Sequence, residues 1–108
     1  MLVGAHYKSI PIKQASEFRD TISRSPACVV LFILPTDHRM IAMIERLQEV
    51  RNADTVVIPL TAREAHLIPI ARVPQLRYYV AGKLQADALL DMQNPDGVLA
   101  FLSTHGLV

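Results

Sequence analysis

Cys28-Val29-Val30-Leu31-Phe32-Ile33-Leu34 is an unbroken run of seven apolar residues, rich in β-branched and aromatic types. A run without polar alternation has no face to give to water. It predicts a strand covered on both sides, central in a sheet flanked by helices. Pro35-Thr36-Asp37 follows at once. Thr36 is placed to cap a helix and Asp37 to sit in its first turn, where the helix dipole favours an anion. That helix is expected to run to about Arg51, burying Met40, Ile41, Ile44, Leu47 and, at its end, Val50.

On the N-terminal side, Gln14 to Arg24 places Ala15, Phe18 and Ile22 on one helical face, and Ser25-Pro26 stops the helix. Tyr7 to Ile12 alternates and contains Pro11, which reads as an early strand near a sheet edge. On the C-terminal side, Thr55 to Leu60 is a second buried strand. Thr61 and Glu64 form a capping-box pair opening a short helix through about Ile68. After Pro74, Gln75 to Val80 reads as a strand, Ala81-Gly82 as a tight turn, and Lys83 to Leu89 as its antiparallel return. A last helix is framed by Asn94 as cap, Pro95 in the first position and Gly106 past the end, burying Val98, Leu99, Phe101 and Leu102. The expected order is β-α-β-α-β-α-β-β-α. Helical crossovers require parallel pairing and the closing hairpin is antiparallel, so the sheet is mixed, with helices on both faces.

Composition supports one domain over residues 1–108, with 51% apolar residues and a formal charge of +1. Such a balance leaves no electrostatic footprint for nucleic acid or an anionic membrane. No apolar run approaches the ~20 residues of a membrane span. The opening MLVGAHYKSIPI lacks a basic segment followed by an unbroken apolar stretch, so it does not read as a secretion signal. The single cysteine, Cys28, precludes an internal disulfide and fits a reducing compartment. A cytoplasmic protein without a cofactor is expected.

Three local matches add to the element order. Ile70-Ala71-Arg72-Val73-Pro74-Gln75-Leu76 resembles the thioredoxin segment that ends in a cis-proline after Ile or Val. Gly82 stands at the hairpin turn that family also builds with glycine. Arg39-Met40-Ile41-Ala42 is similar to the run following the second redox cysteine in many thioredoxins. The resemblance covers nearly the whole chain and implies a thioredoxin-like three-layer α/β fold. In its register, Pro35-Thr36-Asp37-His38 stands where the family has Cys-Gly-Pro-Cys, Leu34 where it has tryptophan, and Val29 where it buries a proton-accepting aspartate. Dithiol exchange needs a thiolate at a helix start and a second thiol to resolve the mixed disulfide. Neither Thr36 nor His38 replaces a sulfur, so a redox-inactive member is expected.

Each candidate site has a bland alternative. Cys28 reads as a one-thiol sensor or glutathione-linked site, or as a small buried hydrophobe, the usual state of free cysteine. Asp37-His38 could suggest a general base or one corner of a metal site. No nucleophile lies near in sequence, and His6, His66 and His105 show no ligand spacing, so ordinary capping is favoured and no metal is expected. Thr36 and Arg39 at a helix start could hold a small anion, though without a glycine-rich approach. Arg77 interrupts an apolar strand beside Tyr78-Tyr79, so either it reaches the surface or it pairs with a carboxylate.

The favoured expectation is a protein- or peptide-binding module of chaperone, assembly-factor or scaffold type. Its surface comprises Leu34, Pro35, Thr36, Asp37, His38, Val73, Pro74 and Gln75. The resemblance implies β-type backbone pairing at Val73, and Leu34 would add an apolar contact. Alternatives are a one-cysteine redox protein using Cys28 and a structural homodimer built on the sheet edge or on that same surface.

Overall fold

In a computed structural model, the described residues are 10–35, 37–61, 63–64, 66–70 and 72–108. The chain forms helix α1 (Phe18–Ser23), strand β1 (Ala27–Ile33), helix α2 (Met40–Arg46), strands β2 (Asp54–Pro59), β3 (Gln75–Val80) and β4 (Lys83–Leu89), and helix α3 (Gly97–Thr104). A 3-10 turn, Ala15–Glu17, leads into α1, and another, Leu47–Glu49, extends α2.

The apolar run becomes the hub. β1 pairs parallel with β2 and antiparallel with β3, and the sheet order is β2-β1-β3-β4. Every residue from Cys28 to Ile33 is buried. Val29, Leu31 and Ile33 point to a layer containing Met40 and Met43 from α2, Leu47 from the turn that extends it, and Val98, Phe101 and Leu102 from α3. Cys28, Val30 and Phe32 point oppositely, to Phe18 and Ile22 of α1 and to Ile68. Fully burying side chains of this size is worth roughly 1.5–3 kcal/mol each, so β1 concentrates the apolar driving force of both layers. The expected mixed sheet between helical layers is the observed architecture.

Two expected elements take other forms. Glu64 and Thr61 make the reciprocal capping bonds, with Glu64 N–H to Thr61 Oγ1 at 3.3 Å and Thr61 N–H to Glu64 Oε1 at 3.3 Å. No helix follows among the described residues of this segment. Carbonyls of Thr61 and Glu64 instead accept from the N–H groups three residues on, which makes successive turns. So short a segment gains little from helical propagation, whereas fully buried Ile68 anchors it to the core. The early strand is a single parallel bridge, Ile12 with Val57, where Pro11 sits on the outer edge and sacrifices no ladder bond. The Tyr7–Ser9 part of that expectation lies outside the described residues.

α2 also begins later than Thr36, which is itself outside the described residues, and its inward face differs from the expected one. Met40, Met43 and Leu47 are buried at helical spacing, Ile44 is half-buried, and Ile41 is 57% exposed. Arg46 Nε meets Asp96 Oδ1 at 3.0 Å, tying α2 to the start of α3. α3 starts at Gly97, with Asn94 and Pro95 in the preceding turns, and Leu99 is half-buried. The helix closes with the N–H of Leu107 on the Leu102 carbonyl and the N–H of Gly106 on that of Ser103, at 2.8 and 3.1 Å. This is a Schellman end, and it requires the positive φ of Gly106, 68°. Among the described residues no helix is long and apolar enough to cross a membrane.

The hairpin turn has Ala81 at φ 53° and Gly82 at φ 79°. Both central residues of such a turn need positive φ, which costs an L-residue with a Cβ about 1–2 kcal/mol and glycine nothing comparable. Ala81→Gly should therefore stabilise the protein by up to ~1 kcal/mol, read as a raised urea midpoint at unchanged slope.

Candidate functional site

The antiparallel register of β1 and β3 ends with Phe32 opposite Gln75. Continued outward, it carries the chain after β1 and the chain before β3 to the same end of the sheet, so Leu34 and Val73 arrive together. Leu34 and Val73 are half-buried, Pro35 and His38 are exposed, and Pro74 and Gln75 are buried. Of the eight expected site residues, Thr36 alone lies outside the described set. The Val73–Pro74 peptide bond is cis. The Pro74 carbonyl accepts from Leu90 N–H at 3.1 Å, whereas neither the N–H nor the carbonyl of Val73 has a hydrogen-bond partner among the described residues.

Asp37 works just ahead of α2. Its Oδ1 accepts from the Arg39 backbone N–H at 3.0 Å, and the carboxylate takes the Arg39 guanidinium through Nε at 3.0 Å and Nη2 at 2.6 Å. These Arg39 hydrogen bonds, side chain foremost, hold the Asp37 carboxyl at about 2, below its ordinary 3.8. Arg39 Nη2 also reaches Met92 Sδ at 3.5 Å. Met92 borders a cavity of about 340 Å³ that is shared with Arg72, Val73, Pro74 and Asp91. The helix start and the Val73 segment are thus bridged by one ion pair and one thioether, a connection the sequence does not signal.

This arrangement leaves Asp37 no free role as a base. Asp37 is spent on Arg39, and among the described residues no three His, Cys, Asp or Glu side chains gather as a metal site would need. Nor does it leave Arg39 free for an anion. Gln75 turns inward, its Oε1 accepting from Arg77 Nε at 2.9 Å.

Cys28 opens β1, at the other end of the strand. Six residues of extended chain separate it from Leu34, about 20 Å. It is 1% exposed, beneath a cavity of about 350 Å³ that Lys13, Arg24 and Asp54 also line. Burial, and secondarily the Asp54 charge, push its thiol up to about 11. A thiol so placed is the reverse of an activated nucleophile.

No family model matches the chain, and no curated protein matches it in sequence. Solved structures do match. Chlamydomonas reinhardtii thioredoxin f2 aligns with a TM-score of 0.69 at 15% identity over 90% of this chain and 96% of its own. Mitochondrial thioredoxin 3 of Saccharomyces cerevisiae, in its oxidised form, gives 0.66 at 16% over 88% and 94%. A mutant thioredoxin from Halobacterium salinarum gives 0.63 at 15% over 94% and 97%. The fold is that of the thioredoxins.

On this thioredoxin frame the resemblance seen in the sequence puts Pro35 to His38 at the redox position and Val29 at the buried-aspartate position. Val29 is fully buried among apolar side chains of the α2 and α3 layer. The one thiol sits at the far end of the central strand of the thioredoxin sheet.

Raising a thiol from 9.0 to about 11 cuts its thiolate fraction about a hundredfold near neutrality. Iodoacetamide should therefore label Cys28 far more slowly in the native protein than in the denatured chain. Between pH 9 and 11 the unfolded chain has released a proton that the native state still holds, so stability should fall as pH rises through that window. Unfolding midpoints measured across it should decline more steeply for wild type than for Cys28→Ala. Equal slopes would refute the burial account.

Proposed function

We propose that this chain is a non-catalytic binding module, which takes an extended peptide or a protein loop at the end of the sheet formed by Leu34, Pro35, Asp37, His38 and Val73. The observation that carries this reading is the Val73 backbone. Its donor and acceptor are both without partners among the described residues, at the sheet end toward which the β1–β3 register also carries half-buried Leu34, with exposed Pro35 and His38 following it in the chain. An extended partner can satisfy both groups as a β-type pair, while Leu34 supplies apolar contact. The thiol lies at the other end of β1, so nothing at this surface supports disulfide exchange. Such a surface would suit a chaperone, assembly-factor or scaffold role, each of which requires reversible grip on another chain.

The cavity bordered by Val73, Pro74, Leu89, Leu90 and Met92 continues the surface beyond Val73 and can seat one partner side chain. Two backbone hydrogen bonds at about 1 kcal/mol each and one apolar anchor are worth tenfold or more in affinity.

Selection from a displayed library of unstructured dodecapeptides tests this. Selected peptides should bind wild type at least about tenfold more tightly than a Leu34→Asp, Val73→Asp double variant, while far-UV circular dichroism stays superimposable. Equal binding by the two folded proteins would remove the surface from consideration.

A further inference from the structure

Arg77 answers neither sequence expectation. It is 9% exposed, in the middle of β3, and it forms no ion pair among the described residues. Asp87 lies directly across from it on β4, yet stays exposed and unpaired with it. The guanidinium instead spends its donors on neutral groups. Nε donates to Gln75 Oε1 at 2.9 Å, Nη1 to Tyr79 Oη at 3.0 Å, and Nη2 to the Pro69 carbonyl at 2.9 Å. Its carbon lies 5.2 Å from the centre of the Phe32 ring, a cation–π contact that offsets part of the burial cost.

Two of those partners bracket one segment. Pro69 stands immediately before Ile70–Val73, and Gln75 immediately after Pro74. Residues between them carry the unpaired Val73 backbone, and at Val73 the described residues provide no hydrogen bond that would hold it in place. Gln75, already in the β3 ladder, orients the guanidinium from two residues away, and that one rigid, planar cation ties Pro69 back to the sheet. An aliphatic side chain would fill the same core volume without the desolvation penalty of a buried charge. What it could not do is bond to both shoulders at once.

We infer that Arg77 is a positioning residue for the Val73 edge, a clamp that fixes the edge by joining Pro69 and Gln75 through one guanidinium. Its value to binding rests on the peptide-binding reading above; its action on the segment does not.

Native-state hydrogen exchange on Arg77→Leu, Arg77→Lys and Gln75→Leu tests the clamp without any peptide. Arg77→Leu should speed exchange about tenfold or more, the factor a hydrogen bond to a charged group supplies, at Leu67, whose N–H bonds the Glu64 carbonyl, and at Leu90, whose N–H bonds the Pro74 carbonyl. Amides of β1 should stay within about twofold, since sub-global opening leaves the remaining ladder intact. Arg77→Lys, which keeps the charge and can hold one shoulder, should fall between. Gln75→Leu should loosen the same residues, and the double variant should add less than the two singles sum to, because both remove one linkage. A uniform acceleration across the sheet would reduce Arg77 to a core residue, and unchanged exchange at Leu67 and Leu90 would overturn the clamp. Should Arg77→Leu fail to fold, Arg77→Lys and Gln75→Leu decide by the same criterion. For peptides selected on wild type, Arg77→Leu should weaken binding with β1 exchange unaltered. If no peptide binds wild type, the binding proposal fails and the exchange result still judges the clamp.

Discussion

The double burial of β1 is the constraint from which the rest of this molecule follows. A strand with apolar side chains on both faces must be covered by two helical layers and hydrogen-bonded along both edges. The sequence meets the first demand with α2 and α3 on one side and α1 with Ile68 on the other. It meets the second with β2 and β3. Once β1 is central, its two ends are committed to different fates. One end delivers Leu34 to the approach to α2 and the neighbouring Val73; the other holds Cys28 buried under α1.

That separation governs what chemistry is open to the chain. A thioredoxin frame normally brings sulfur to the start of the helix after its central strand, where unsatisfied N–H groups and the dipole favour a thiolate. Here the same location holds an Asp37–Arg39 pair that is already internally neutralised. No thiol stands at that location in this chain. Two arginines then stiffen what remains. Arg39 joins Asp37 to Met92, and Arg77 joins Pro69 to Gln75, so both flanks of the Val73 edge are tied down by side chains.

What is legible in the sequence is local. Seven apolar residues in a row need no tertiary information to be read as a buried strand, and Ala81-Gly82 and Gly106 announce backbone conformations that few residues adopt. Thr61 and Glu64 are equally readable as a pair, and their bonds are made. The helix they suggest fails because burying Ile68 outweighs the gain from one more helical turn. Ile41 departs from its expected burial because α2 starts at Met40, after Arg39 has been turned by Asp37, and Met43 rather than Ile41 then faces the sheet. Arg77 is the hardest case. Its partner Pro69 is brought in by the tertiary fold, and a cation satisfied by a carbonyl, an amide and a phenol leaves no complementary charge for pattern reading to find. Gln75, which reads as a surface residue beside Pro74, is buried for the same reason.

On the proposed reading, this fold acts here by gripping a partner and not by moving electrons. Reduction of insulin disulfides by dithiothreitol, followed as turbidity, tests that claim directly with a thioredoxin as positive control. The predicted time course is superimposable on that of dithiothreitol alone, at any concentration of this protein. A concentration-dependent acceleration that disappears in Cys28→Ala would contradict it.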